Sequence, residues 1–132
     1  MSRDLIDAAL AARLKAHAPY SNFPVGAAVR DEYGNVHAGC NVENAAYPQG
    51  WCAEPSAISA MIAGGGRRIT EVAVVGGGEG LVTPCGGCRQ KIREFAAGDV
   101  LIHVCGETGE VKHTFTLDEL LPAAFGPGHL DI

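Results

Sequence analysis

The chain has 132 residues, 47% of them hydrophobic and 19% charged, with a formal net charge of −5 and an isoelectric point near 5.4. That length suits one domain over residues 1–132 with a core that needs no disulfide staples, and the balance of side chains excludes a disordered polymer. Scattered Lys and Arg on an acidic chain exclude a nucleic-acid surface, and no apolar run approaches the ~20 residues that span a bilayer.

Residues Asp4 to His17 place Leu5, Ala8, Ala9, Ala12 and Ala16 at helical spacing, and Pro19 follows as a stop. Val25 to Arg30 and Asn35 to Asn41 read as two strands joined through Gly34 in a hairpin. The alanine- and isoleucine-rich stretch from Cys52 to Ala63 predicts a helix ended by Gly64-Gly65-Gly66. A strand is expected over Glu71 to Val75 and a second helix over Cys85 to Ala97, closed by Gly98. Val100 to Val104 and Val111 to Phe115 predict two more strands, and Leu117 to Leu121 a short helix. The alternation argues for a mixed sheet with helices on its faces.

The chemistry concentrates in Cys52-Ala53-Glu54 and in Thr83-Pro84-Cys85-Gly86-Gly87-Cys88. A lone CxxC is a redox pair, half of a structural zinc site or part of a catalytic one. A remote third cysteine with a glutamate two residues away favours the last. Three protein ligands leave a zinc position open for water, whereas structural sites close it with a fourth. Three Cys or His ligands, a P-C-x-x-C run and a non-ligating glutamate form the zinc deaminase signature. Both clusters fall where a loop gives way to a helix, whose free N–H groups favour thiolates. We therefore expect one zinc ion held by Cys52, Cys85 and Cys88, with Glu54 as proton carrier.

Five cysteines are an odd count, unlike a secreted disulfide framework, and reduced thiols fit a cytoplasmic protein. Cys40 and Cys105, at strand ends in apolar surroundings, are expected to be buried thiols outside the metal site. His17, His37, His103, His113 and His129 show no ligand spacing, and the glycine runs at 64–66 and 76–78 lack a nucleotide-binding fingerprint. In Asn41-Val42-Glu43, period-two alternation would put Asn41 and Glu43 on one side, where an amide and a carboxylate suit a hydroxyl.

Together these segments resemble the small, homotetrameric class of cytidine deaminases. The resemblance runs from Tyr20-Ser21-Asn22-Phe23-Pro24-Val25-Gly26-Ala27-Ala28, through Asn41-Val42-Glu43-Asn44-Ala45 and Cys52-Ala53-Glu54. It continues in Pro84-Cys85-Gly86-Gly87-Cys88-Arg89-Gln90 and ends at Leu120-Leu121-Pro122-Ala123-Ala124-Phe125. It implies an α/β/α sandwich with a five-stranded mixed sheet. The implied reaction is hydrolytic deamination of cytidine and 2′-deoxycytidine in pyrimidine salvage, a zinc-activated water adding to C4 while Glu54 shuttles protons. Asn41 and Glu43 would bind the ribose 3′-hydroxyl, Phe23 would pack on the base, and Val42 and Ala53 would complete the substrate contacts. Phe125 and Tyr47 would reach a neighbouring subunit's site. Sibling deaminases acting on other aminopyrimidine nucleosides or blasticidin S, and a non-catalytic zinc protein, are the rival readings. One departure stands out: the family commonly has Arg directly after Cys-Ala-Glu, and this chain has Pro55.

Overall fold

Gly34 is where the chain first reverses, its φ of +85° supplying the left-handed turn that joins β1 (Gly26–Asp31) to β2 (Val36–Cys40). Asp31 fastens that turn by accepting hydrogen bonds from the Tyr33 and Asn35 N–H groups and pairing with His37 at 2.8 Å. In the computed structural model, which describes residues 2–130, this hairpin is one edge of a five-stranded sheet ordered β2-β1-β3-β4-β5. The other strands are β3 (Ile69–Val75), β4 (Ala96–Cys105) and β5 (Val111–Thr116). β3 and β4 are parallel and every other pairing is antiparallel, so the expected mixed sheet is what forms.

Side chains alternate across the strands and so build two cores. Helix α1 (Ser2–Arg13) covers one face, packing Leu5, Ile6 and Ala9 on Ala28, Ala73, Val75 and Cys105. Helices α2 (Ala53–Ala63), α3 (Gly86–Phe95) and the short α4 (Leu117–Leu120) lie on the side of the larger core, which holds Met61, Ile69, Val72, Val74, Ile92 and Ile102. The layers are therefore α/β/α. Gly39 lets α2 approach β2: a Cβ there would lie 2.5 Å from the Ser56 Oγ and Ala57 N atoms. Short 3₁₀ turns at Tyr47–Gln49 and Pro127–Leu130 complete the elements. Among the described residues no helix is long and apolar enough to cross a membrane.

Two boundaries depart from the sequence expectation. Helix α1 stops at Arg13 rather than His17, leaving Leu14 exposed. His17 is instead drawn against residues 41–43, donating to the Asn41 carbonyl and accepting from the Glu43 N–H. Helix α3 ends at Phe95, and β4 begins at once at Ala96, with Gly98 inside the strand rather than capping a helix. The cause is tertiary: Ala96 pairs with Ile69 across the parallel ladder and is buried. Local helix propensity in Phe95-Ala96-Ala97 loses to that pairing.

Met61 is fully buried at the centre of the larger core. Met61→Ala should therefore cost about 2–5 kcal/mol and lower the melting temperature by roughly 10 °C, read by circular dichroism. A drop of only a degree or two would mean the core closes around the cavity.

Candidate metal centre and active site

Cys52 and Cys85 are the N-cap residues of α2 and α3, both in extended backbone conformation (φ −74°, ψ 163° and φ −65°, ψ 170°). An N-cap side chain lies beside the unpaired N–H groups of its helix's first turn, so both thiols sit at positive helix ends. Cys88 lies in the first turn of α3 and is buried. The three Sγ atoms lie within 4.8 Å of one another, with Cys85 and Cys88 at 3.3 Å. Tetrahedral zinc with Zn–S bonds of ~2.3 Å separates its sulfurs by about 3.8 Å, so the trio fits one ion with small adjustments. Among the described residues no fourth Cys, His, Asp or Glu joins this group. Cys105 is buried in the core under α1, and Cys40 is half-buried at the end of β2.

Glu54 occupies the first turn of α2 and is only 5% exposed. Burial pushes its carboxyl above the usual range, opposed by its own N–H, the Cys88 thiol and the charge of Lys91. Burial likewise raises Cys52 and Cys88. Cys85 also feels burial, but the nearby Cys88 N–H and the other two thiols outweigh it and its pKa is lowered. These groups line a cavity of about 170 Å³ together with Val25, Asn41, Ala53, Val82 and Thr83. A buried carboxyl beside a trithiol cluster in one cavity can give and take protons where a metal ion polarises a ligand.

Pro55 sits buried in the first turn of α2, where the first helical hydrogen bond runs from the Ser56 N–H to the Cys52 carbonyl. No intrahelical donor is lost by having proline there. Arg89, a candidate to replace the missing arginine charge, turns to the adjoining loop. Its guanidinium donates to the Pro84 and Leu120 carbonyls, both at 2.7 Å, and to Thr83 Oγ1.

Of the remaining sequence candidates only Asn41 and Ala53 line this cavity. Asn41 faces it, its amide accepting from the Val25 N–H at 2.9 Å and donating to the Phe23 carbonyl at 3.0 Å. Glu43 lines an adjoining cleft of about 320 Å³ with Tyr20, Ser21, Asn44, Tyr47 and Gly50. Its carboxylate accepts from the Tyr20 and Ser21 N–H groups and the Ser21 hydroxyl. Both side chains thus brace the Tyr20–Val25 loop. Between them Val42 is exposed and bridges to Trp51. Phe23 and Tyr47 are exposed, Tyr47 meeting Tyr20 edge-on at 5.9 Å. Phe125 is exposed too, stacked on His129, with its carbonyl held by the Gln90 amide.

Residues 1–104, which include all three cysteines and Glu54, match the family model described as the cytidine and deoxycytidylate deaminase zinc-binding region. The chain belongs to this family. It is 45% identical over 114 residues to a cytidine deaminase of Sporosarcina psychrophila, covering 86% of this chain and 83% of that protein. Over 111 residues it is 40% identical to a cytidine deaminase of Mycobacterium tuberculosis, covering 84% and 79%. The crystal structure of a Burkholderia pseudomallei cytidine deaminase superposes with a TM-score of 0.87 at 43% identity, covering 95% of this chain and 99% of that one. That of the Mycobacterium tuberculosis enzyme gives 0.80 at 38% identity, over 93% and 95%. As a member of this deaminase family the chain is a hydrolytic enzyme with zinc as its cofactor, and the Cys52, Cys85 and Cys88 cluster suits one such ion.

Sequence reasoning missed Val82 as a wall of the cavity, Trp51 as the bridge partner of Val42, and Lys91, whose ammonium lies over the Trp51 ring and whose charge reaches Glu54. Trp51 directly precedes Cys52, and Lys91 lies one helical turn after Cys88; adjacency to ligand candidates was the available signal.

Proposed function

We propose that the chain converts cytidine and 2′-deoxycytidine, with water, to uridine and 2′-deoxyuridine and ammonia, as a single-domain pyrimidine-salvage enzyme of the cytoplasm. The observation that carries this reading is the nearly inaccessible Glu54 carboxyl sharing one cavity with three convergent thiols. Cys52, Cys85 and Cys88 would hold the zinc, which when bound lowers the pKa of a coordinated water and so supplies a nucleophile at neutral pH. Glu54 takes the proton released there and delivers it to the ring N3, making C4 more electrophilic. It then hands a proton to the departing amine. Ala53 and Val25 flank the base, and Phe23 packs against it.

Asn41 and Glu43 act as the clamp for the ribose 3′-hydroxyl, and their grip on the Tyr20–Val25 loop keeps Phe23 in place. The exposed Tyr47 and Phe125 support a homotetramer in which these side chains complete a neighbour's site, a state that light scattering on the purified protein would test. The activity itself is tested by loss of nucleoside absorbance on cytidine, 2′-deoxycytidine and free cytosine. Turnover of both nucleosides and rejection of cytosine are expected; efficient use of cytosine would overturn the nucleoside assignment.

Asn41→Ala should lower kcat/KM for cytidine by roughly 10–100-fold, since a lost partner for a buried hydroxyl costs ~1–3 kcal/mol. The loss for 3′-deoxycytidine should be much smaller. Equal losses on both substrates would assign Asn41 to the loop alone.

A further inference from the structure

Lys91 lies in the middle of α3, yet its ammonium folds back toward the start of that helix. Its Nζ is 3.9 Å from where a Cβ on Gly87 would stand, and 5.9 Å from the centre of the Trp51 ring. Gly87 directly precedes Cys88, and Trp51 directly precedes Cys52. The cation therefore stands between the two segments that bring the thiols together. Among the described residues it makes no hydrogen bond or ion pair there.

A helix N-terminus is the positive end of its dipole, and a cation placed over it is disfavoured unless an anion is close by. The indole face attracts the ammonium but leaves its hydrogen-bonding capacity unused. The Glu54 carboxyl already feels this charge, and the thiols add to the anionic side once they hold a metal: three thiolates on a divalent zinc carry a net charge of −1. Pro55 brings no charge to that cluster, and the hydrogen bonds of Arg89 hold the Thr83–Pro84 loop and Leu120.

We infer that Lys91 is a positioning residue of the metal centre, its ammonium offsetting the negative charge that the zinc–thiolate cluster acquires. This rests on the proposal that Cys52, Cys85 and Cys88 hold the zinc. Loading converts neutral thiols into an anionic cluster and releases their protons, so a neighbouring cation favours the loaded form. The side chain is exposed, and a solvent-screened charge acts modestly.

The test is zinc affinity, measured on the full chain by competition with a chromogenic chelator at fixed pH and low salt. Lys91→Arg should bind zinc as the wild type does, Lys91→Gln about two- to fivefold more weakly, and Lys91→Glu more weakly still. The differences should shrink in 1 M salt, where charges are screened within ~3 Å. Circular dichroism checks that each variant is folded. Equal affinity across the series, equal losses in the Arg and Gln variants, or losses indifferent to salt would overturn the inference. A wild-type chain that takes up no zinc would instead overturn the ligand assignment beneath it, so the two failures are distinguishable.

Discussion

Glu54→Gln should keep its fold and its zinc while losing turnover of cytidine by about 10⁴-fold or more. A single positioned acid or base is typically worth ~10²–10⁴ in rate, and Glu54 is assigned several successive proton transfers. The amide matches the carboxyl in size, so the first turn of α2 and the 170 Å³ cavity should be undisturbed. What it lacks is the exchangeable charge that burial has tuned upward. Raised by burial, the carboxyl stays protonated to higher pH than an exposed glutamate, so it acts as an acid toward N3 at pH values where a free carboxylate would not. The measurement is single-turnover and steady-state absorbance loss on zinc-loaded variant, with metal content determined in parallel. Activity within tenfold of wild type, at full zinc occupancy, would show that another group moves the proton. Lost zinc together with lost activity would make Glu54 a structural partner of the metal instead.

The two thiol segments and Glu54 were readable because their chemistry is local in sequence. Cys52 and Cys85 each precede a helix, which composition announces in both cases and a glycine stop at the far end only in α2. The strands were readable for the same reason, as short β-branched runs that pair with their neighbours. What was not readable depends on distant pairing. Helix α1 ends early because His17 finds backbone partners at 41 and 43, and α3 ends early because Ala96 finds Ile69. Neither partner lies within the window that a periodicity argument inspects. Asn41 and Glu43 show the limit most plainly. Alternation places both on one side, but the chain past Cys40 leaves β2 for an isolated bridge at Val42, and the two side chains face adjoining cavities. The Tyr20–Val25 loop that they both grip carries the family resemblance in its residues, but nothing local in them announces that Asn41 and Glu43 brace it. Beyond its spacing from Cys88, Lys91 carries no signal in the sequence, since an exposed helical lysine is ordinary and only the fold brings its ammonium over the ring of Trp51.

Cys88→Ala should weaken zinc binding severely, and with it the deaminase activity, in a chain that still folds. Alanine suits the first turn of a helix, and Cys88 belongs to neither of the two hydrophobic core clusters, so α3 should survive the change. The thiol itself is the most buried of the three and touches both of the others as well as Glu54. Loss of a residue that merely supports a metal ligand typically costs ~10–100-fold in affinity, so removal of a ligand should exceed that range. A second reading of the same variant tests the chemistry more sharply. Zinc displaces the thiol protons, so apparent affinity rises with pH, by up to about one log unit per pH unit for each proton released. Burial raises Cys88 far above an ordinary thiol, so its proton is displaced across the whole neutral range. The slope of log affinity against pH should therefore fall by about one when Cys88 is removed. Chelator competition between pH 6 and 8 on both proteins measures this. An unchanged slope and affinity would mean that the metal is held by other residues, and the assignment of Cys52, Cys85 and Cys88 as its ligands would fall with it.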